Sequence, residues 1–484
     1  MSVRFGVALL TGKFCAAFAG KFFPKRGTNL PGEIALKFDP LFLRHVKGTD
    51  PAKTIFITGT NGKSTTNNLI LHVFAAAGLS VASNAEGANL KAGAATVLLK
   101  NTAASGRFTK DWLILEVDER SLAGIQKDLK AGTICVTNIQ KDQVQRNGDP
   151  DYIYQKIRAA IDDSVTVIAN NEEPHTRALA VGAADAEGMG IAGHAGSTED
   201  VKFAGRESTG RAVTFGVAVN KHASTVEVDF GVSMPCPVCG DALLFEHRNL
   251  ANVGFFHCPA CDFASADTAD YTVIGTDFEG GRFRLRTPDG REAGPFRLAY
   301  TAAHFLYNYA LCCAVCMEAG IGSDILTQAF ASFINIGGRL ESFAHKGKDI
   351  TYIRIKQENP ETLQSALDTI AADKRNKIFV LGPAVVDDFV PHYTNTFYAF
   401  DCDFGPMLSS GTERCICFGT TISFDVANRL RYAGVPDDRI QILDTDEEEA
   451  ILTEIAKSEA EVVYLITWIK KYEKLRACSV EKMD

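Results

Sequence analysis

The sequence contains no run of 18 uninterrupted apolar residues, about the shortest length that predicts a membrane-spanning helix. The best candidate, residues 5–23, is interrupted by Lys13 and Lys21. No small-residue cleavage site follows a clean apolar core, which disfavours a signal peptide. We predict instead an amphipathic helix packed on its own domain, with contact to a membrane surface as the less favoured alternative.

Excess positive charge and dense cysteine spacing are lacking as well. The formal net charge of -9 argues against an extended nucleic-acid surface, so we expect no nucleic-acid partner. The 13 cysteines are spread over 484 residues without the spacing of a secreted disulfide scaffold, which indicates a reducing, cytoplasmic compartment. The composition is that of an ordinary globular protein, and at ~150 residues per domain the length predicts about three domains.

Four of the cysteines form a separate pattern. Cys236 and Cys239 make one CxxC pair, and Cys258 and Cys261 make a second pair after 18 intervening residues. This spacing predicts a zinc ribbon. Four thiolates fill a tetrahedral site and leave no position for water, so the zinc is expected to be structural. Redox chemistry is the disfavoured alternative, and the other nine cysteines are interpreted as small buried residues.

The segment TIFITGTNGKSTT, residues 54–66, predicts a phosphate-binding loop. A buried strand over 55–58 is followed by Gly59 and Gly62, which allow a tight turn at the start of a helix over 63–77. Lys63 would contact the β- and γ-phosphates of ATP, and Ser64 would bind Mg²⁺. The loop is not a generic Walker A sequence, because Ile57 stands where that pattern has its first glycine. The predicted nucleotide-binding set also includes Thr60, Asn61 and Thr65.

The elements around this loop predict an α/β fold. Strands at 55–58, 112–117, 134–138 and 165–169 alternate with helices, which is typical of a parallel sheet. Short alternating runs at 226–230, 271–274 and 283–285 predict antiparallel strands around the inserted ribbon. Helices follow at 302–318 and 324–333. A second α/β pattern begins after residue 338, with strands at 350–355, 377–381, 414–417, 440–443 and 462–466, and an acidic, solvated helix face within 444–456.

Several polar residues follow the predicted parallel strands, where such sheets place their ligands. Glu116 is the candidate Mg²⁺ ligand, whereas Asp118 and Glu119 either support it or are merely exposed. Asn308 lies one helical turn after His304 and is assigned to the nucleotide site. Arg339, in a glycine-rich turn, is suited to reach a γ-phosphate.

Taken together, these motifs resemble the MurT family of Mur-ligase relatives over nearly the full length of the chain. The matching pieces include the loop at 59–65, residues 84–89 (NAEGAN), Glu116, residues 137–146, the four cysteines, residues 338–341 (GRLE) and Asn359-Pro360. The resemblance implies a Mur-ligase-type central domain over 49–336 with the zinc ribbon at about 232–265. It also implies a packed N-terminal segment over 1–48 and a Rossmann-like C-terminal domain over 337–484.

The resemblance also implies the activity. Such subunits use ATP and Mg²⁺ to phosphorylate the D-glutamate α-carboxylate of lipid II, and ammonia from a GatD-type glutaminase partner then gives D-isoglutamine. The implied catalytic residues are Lys63, Glu116, Arg339 and Asp388, the last completing the catalytic triad of the partner. Asp387 is a near alternative to Asp388. A stand-alone ligase that adds an amino acid remains the second interpretation, and the location is cytoplasmic or peripheral to the inner face of the membrane.

Two departures from the wider Mur family concern a second metal. Gln143 stands where a Mg²⁺-binding histidine is usual, and an amide is a weaker ligand. No residue clearly replaces the carbamylated lysine, since Lys156 and Arg158 both lie near its place. A second bound metal is therefore disfavoured.

Overall fold

The chain divides into two compact units. The computed structural model describes residues 2–22, 29–85, 87–142, 148–184, 210–220, 223, 234–250, 252–299, 303–333, 340–356, 359–382, 397–420, 422–467 and 471–479. Unit 1 comprises Met1–Gln140, Asp149–Thr225 and Ser233–Asn335, and unit 2 comprises Lys141–Gly148, Val226–Val232 and Ile336–Asp484.

Unit 1 is an α/β unit. Its helices are α1 Val3–Phe22, α2 Leu30–Phe38, α3 Phe42–His45, α4 Lys63–Ala76, α5 Lys91–Lys100, α6 Leu122–Asp128, α7 Pro150–Arg158, α8 Pro174–Ala184, α9 Ala303–Glu318 and α10 Ser323–Ser332. Its strands are β1 Thr54–Thr58, β2 Val81–Ser83, β3 Trp112–Glu116, β4 Thr133–Val136, β5 Thr166–Asn170, β6 Ala212–Val217, β7 Leu244–Leu250, β8 Val253–His257, β9 Tyr271–Asp277, β10 Arg282–Arg286 and β11 Glu292–Arg297.

Nine of these strands form one sheet in the order β11-β10-β9-β6-β5-β4-β1-β3-β2. The strands from β2 to β9 are parallel, as the alternation of strands and helices predicts. The predicted antiparallel pairing of 271–274 with 283–285 is confirmed. However, β9 also pairs in parallel with β6, so it belongs to the main sheet as well. The strand predicted at 226–230 lies outside the described residues.

Both faces of the sheet are covered by helices. Along β1, Phe56 points into a core shared with α5 and α6, whereas Ile55 and Ile57 point into a core shared with α4 and α9. All five residues of β1 are buried, which explains its continuous apolar sequence. The loop between β1 and α4, which carries the candidate site, therefore follows a strand that is buried along its whole length.

The N-terminal helices pack on this unit. Phe5 of α1 stacks on Phe42 with ring centroids 5.3 Å apart, and Ala8 and Leu9 are buried in the same core. The packing predicted for the helix over 5–23 is confirmed, whereas its predicted amphipathic character is wrong, because large apolar side chains such as Leu10 and Phe14 are also exposed on the other face. Within the described part of the chain, no helix is long and apolar enough to cross a bilayer.

Unit 2 has a six-stranded sheet in the order β12-β13-β17-β14-β15-β16, with only the β12–β13 pair antiparallel. Its strands are β12 Leu340–His345, β13 Lys348–Arg354, β14 Lys377–Gly382, β15 Thr412–Phe418, β16 Ile440–Leu443 and β17 Val462–Thr467. Its helices are α11 Pro360–Ala372, α12 Phe397–Phe400, α13 Gly405–Leu408, α14 Ile422–Tyr432, α15 Glu448–Ala456 and α16 Tyr472–Ser479. The five strands predicted here are confirmed, and β12 was not predicted. The acidic helix also buries Ile451, Leu452 and Ile455, so only part of it is solvated.

Candidate functional site

The loop between β1 and α4 has the backbone of a phosphate-binding turn. Gly59 and Gly62 have φ values of +119° and +85°, which residues with side chains rarely adopt. A Cβ on Gly59 would lie 2.3 Å from Thr137 Oγ1, and one on Gly62 would lie 2.4 Å from Asn308 Oδ1. The loop therefore requires glycine at both positions, and Gly62 caps the N-terminus of α4, where N–H groups and the helix dipole favour anions.

The segment after β4 holds this loop in place. The Thr60 N–H donates to the Asn138 carbonyl at 2.8 Å, and the Asn61 N–H donates to Asn138 Oδ1 at 2.9 Å. Asn61 Nδ2 donates to Gln140 Oε1 at 2.9 Å. These contacts join neighbouring loops at the carboxyl edge of the sheet, so the turn is fixed before any ligand binds.

Lys63 is held inside the turn by oxygen atoms. Its Nζ donates to the Gly59 carbonyl and, at 3.3 Å, to the Thr60 carbonyl, and it forms a 2.6 Å ion pair with Glu119 Oε1. The Glu119 side chain is 3% exposed, so the interpretation of Glu119 as merely exposed is wrong. Asp118 is buried too. The Lys63 ammonium is largely desolvated, so Glu119 supplies the negative charge that a buried cation needs.

Ser64 and Glu116 are direct neighbours. Ser64 Oγ donates to Glu116 Oε2 at 2.7 Å. The backbone of Glu116 is clamped by one side chain, because its N–H donates to Asn84 Oδ1 at 2.9 Å and Asn84 Nδ2 donates to its carbonyl at 2.7 Å. Asn84 therefore positions Glu116, a role that the sequence did not reveal beyond the motif at residues 84–89. The hydroxyl and carboxylate oxygens are the kind of donors that Mg²⁺ prefers, so this pair fits a magnesium site.

Asn308 approaches the same turn from α9. Its Oδ1 accepts from Thr66 Oγ1 at 3.3 Å and lies directly beside Gly62. The ring of His304, one helical turn earlier, packs on Phe305 with centroids 4.4 Å apart. The structure therefore brings Asn308 to the loop, together with Lys63, Ser64 and Glu116.

The four ribbon cysteines converge on one point. Their Sγ atoms all lie within 4.8 Å of one another, with Cys236–Cys261 at 3.8 Å and Cys239–Cys258 at 3.4 Å. Ligands about 2.3 Å from a tetrahedral zinc would be about 3.8 Å apart. The donor set and its size therefore fit a zinc ion. The antiparallel β7–β8 hairpin lies between the two pairs, as in the predicted ribbon.

A buried carboxylate fastens the ribbon to the sheet. Glu172, at the end of β5, accepts hydrogen bonds from Tyr307 Oη at 2.5 Å, Asn249 Nδ2 at 3.1 Å and the Val217 N–H at 2.6 Å. Burial raises the pKa of Glu172 to about 7, although these three donors oppose the shift. Because Asn249 belongs to β7, Glu172 connects the ribbon hairpin to the main sheet.

A second buried cluster lies next to it in sequence. Burial alone would lower the pKa of His175, but hydrogen bonds with Asp151 and Glu173 outweigh this effect and raise it to about 9. Glu173 also accepts from the Ile139 N–H at 3.1 Å. Because Ile139 lies between the two residues that brace the phosphate turn, Glu173 supports the loop after β4.

The chain is similar to MurT proteins in sequence and to a peptide ligase in fold. A family model described as MurT ligase C-terminal matches residues 357–469. The Staphylococcus aureus (strain COL) protein named lipid II isoglutaminyl synthase (glutamine-hydrolyzing) subunit MurT is 25% identical over 86% of this chain and 85% of its own length. The Streptococcus pneumoniae MurT is 27% identical over 91% of this chain and 90% of its own length. The chain is thus similar to proteins named MurT over most of its length. A pseudomurein peptide ligase type C from Methanothermus fervidus shares its fold, with a TM-score of 0.65 and 17% identity over 91% of this chain and 80% of that chain.

Two of the predicted site residues, Arg339 and Asp388, lie outside the described residues, as do Asp387 and Gln143. The Mur-ligase-like α/β fold that the sequence predicts is confirmed. Asn359 caps α11 at the start of the MurT C-terminal match, where its side chain accepts from the Thr362 N–H at 2.9 Å.

Proposed function

We propose that the chain is the synthetase subunit of a lipid II isoglutaminyl synthase. It would use ATP to activate the D-glutamate α-carboxylate of the lipid II stem peptide and then amidate it with ammonia. The observation that carries the proposal is the coincidence of two facts: relatives named MurT match nearly the whole chain, and the phosphate-binding turn has the glycines, lysine and carboxylate that the reaction needs.

The chemistry requires positive charge more than a protein nucleophile. Transfer of the terminal phosphoryl group to a carboxylate oxygen brings anions together, and ADP leaves. We assign Lys63 and the N–H groups at the N-terminus of α4 to the phosphates, with Gly59, Thr60, Asn61, Gly62, Ser64, Thr65 and Asn308 forming the surrounding site. Ammonia then attacks the acyl carbon, and phosphate and a proton are released.

We assign the magnesium site to Ser64 and Glu116. Magnesium, when bound, would neutralise charge on the terminal phosphates. The contribution of the chain is orientation: Asn84 fixes the backbone of Glu116, and the neighbouring Ser64 hydroxyl lies 2.7 Å from its carboxylate. Arg339 remains a proposed γ-phosphate contact on the strength of the family resemblance alone.

The partner proposal follows from the names of the relatives, which describe a glutamine-hydrolyzing enzyme subunit. We propose a GatD-type glutaminase as the source of ammonia and Asp388 as the residue that completes the partner's triad.

The three-part division at residues 48 and 336 is kept as a proposal. It is supported by the packing of α1 to α3 on unit 1 and by the position of the MurT C-terminal match.

The test is amidation of lipid II by the purified chain with ATP and ammonium, followed by mass spectrometry of the stem peptide. Lys63→Ala should lower the rate by about 10²-fold or more, because it removes a preorganised cation from the transferring group. Lys130→Ala is the matched control, since Lys130 forms only an exposed ion pair with Asp162. An unchanged rate in Lys63→Ala would refute the proposed role of the turn. Incorporation of an amino acid instead of ammonia would favour the stand-alone ligase.

A further inference from the structure

Large apolar side chains are concentrated on the exposed surface of the N-terminal region. The described part of the chain has fifteen exposed large apolar residues, and eight of them lie within the first 48 residues. Single exposed apolar residues are normal on protein surfaces, whereas a cluster marks a contact surface. Five of the eight lie on α1: Val3, Val7, Leu10, Phe14 and Phe18.

These five residues share one face of α1. At 3.6 residues per turn, their positions fall within an arc of about 80°. Leu10 and Phe14, near the centre of the helix, are 69% and 76% exposed. The opposite face already holds the helix on unit 1 through Phe5 and Leu9, each 2% exposed. The exposed face, which we call the α1 stripe, is therefore not needed to pack the helix.

The charges around the α1 stripe indicate what covers it. Arg4 and Lys13 lie beyond its two edges on the same helix. The first 32 residues of the chain contain five cationic residues and no acidic residue, although the whole chain has a formal net charge of -9. An apolar stripe bordered by cations is typical of helices that lie in the interface of an anionic bilayer.

We propose that the α1 stripe docks on the surface of an anionic lipid bilayer, with its apolar side chains among the acyl chains and its cations at the headgroups. The choice of a bilayer rests in part on the proposed function, whose substrate is a membrane lipid. A second copy of the chain is disfavoured as the occupant, because pairing two stripes would bring together two surfaces that are both bordered by cations.

The test is co-sedimentation of the full chain with vesicles of phosphatidylcholine, with and without phosphatidylglycerol. Binding should increase with the anionic lipid and weaken with salt. The double variant Leu10→Ser/Phe14→Ser should bind at least about tenfold more weakly. The matched control is Phe424→Ser/Tyr432→Ser, which removes two exposed aromatic side chains from unit 2 and should leave binding unchanged. Phe14→Trp should retain binding and show blue-shifted emission with vesicles.

Three outcomes would overturn the inference. The wild-type chain could fail to bind anionic vesicles, the stripe variant could bind as well as the control, or the variant could convert a wild-type dimer into a monomer without changing vesicle binding. Amidation of a water-soluble stem-peptide precursor separates this inference from the proposed function. The stripe variant should amidate that precursor at the wild-type rate, whereas a chain that binds vesicles but amidates nothing would refute the proposed function alone.

Discussion

Replacement of Gly59 by alanine tests whether the turn after β1 is shaped for a nucleotide. The new Cβ would lie 2.3 Å from Thr137 Oγ1 and 2.7 Å and 3.0 Å from the backbone O and N of Asn138. Backbone atoms at the end of a central strand cannot move aside cheaply. The loop must therefore lift away from Asn138, which breaks the 2.8 Å hydrogen bond from the Thr60 N–H and displaces the turn that we assign to the phosphates.

The magnitude follows from a matched glycine. Gly78, beyond the end of α4, also has a positive φ, +74°, but a Cβ there meets nothing within 4 Å. Gly78→Ala costs about 1–2 kcal/mol in backbone conformation, and Gly59→Ala costs at least as much, because its φ of +119° lies further from the left-handed region. Only Gly59→Ala adds an overpacking cost of about 1–3 kcal/mol. If that cost falls on the loop that binds ATP, the Kd should increase by about fivefold to about 150-fold.

The assay is a titration of each variant with a fluorescent ATP analogue, with thermal unfolding as a check that both variants fold. Gly78→Ala should keep the wild-type Kd. The reasoning is refuted if Gly59→Ala also keeps the wild-type Kd, or if the two variants weaken binding equally.

Three further predictions concern the magnesium site, the zinc ribbon and Glu172. Ser64→Ala and Glu116→Gln should each raise the Mg²⁺ concentration needed for half-maximal activity, and an unchanged Mg²⁺ dependence would exclude that pair as the ligand set. Removal of zinc by a chelator should make residues 234–266 protease-sensitive, because a structural zinc contributes on the order of 10 kcal/mol. Cys258→Ala should abolish zinc binding, whereas the exposed Cys478→Ser should not. Because the native pKa of Glu172 is raised from 4.5 to about 7, the folded state binds more protons than the unfolded state between these values. The free energy of unfolding should therefore fall by about 3 kcal/mol as the pH rises from about 4.5 to about 7. Glu172→Gln should flatten that slope, and an equally steep slope in the variant would contradict this assignment.

The sequence was most informative where the signal is local. The strand, the two glycines and the helix start of the phosphate turn lie within 13 residues, and the structure has β1 and α4 within one residue of the predicted bounds. The zinc ribbon was equally predictable from the sequence, because each CxxC pair lies within a single short turn. Both features depend on backbone geometry that neighbouring residues determine.

Contacts between distant segments were not predictable in the same way. Lys63 pairs with Glu119, which is 56 residues away, and Asn61 is held by Asn138 at a separation of 77 residues. Sequence reasoning placed all of these residues at the carboxyl edge of the sheet. It could not decide that Glu119 is buried, because burial depends on how the loops after β1, β3 and β4 pack together.

Elements with weak periodic signals were missed as well. The short strand β2 and the helix α5 lie between clear motifs, and α5 is rich in alanine and buried over most of its length. A helix buried on nearly all sides has no polar face to reveal its period. The first helix was predicted, but it lacks the polar face of an amphipathic helix, since it is apolar both where it packs on unit 1 and along the α1 stripe.

The central claim is that the turn after β1 holds ATP so that its terminal phosphoryl group passes to a carboxylate. The most direct measurement uses lipid II labelled with ¹⁸O in the D-glutamate α-carboxylate, with ATP, Mg²⁺ and ammonium. We expect one label to appear in the released inorganic phosphate and Lys63→Ala to abolish this transfer. Amidation with no label in the phosphate would contradict the account, as would undiminished transfer by Lys63→Ala.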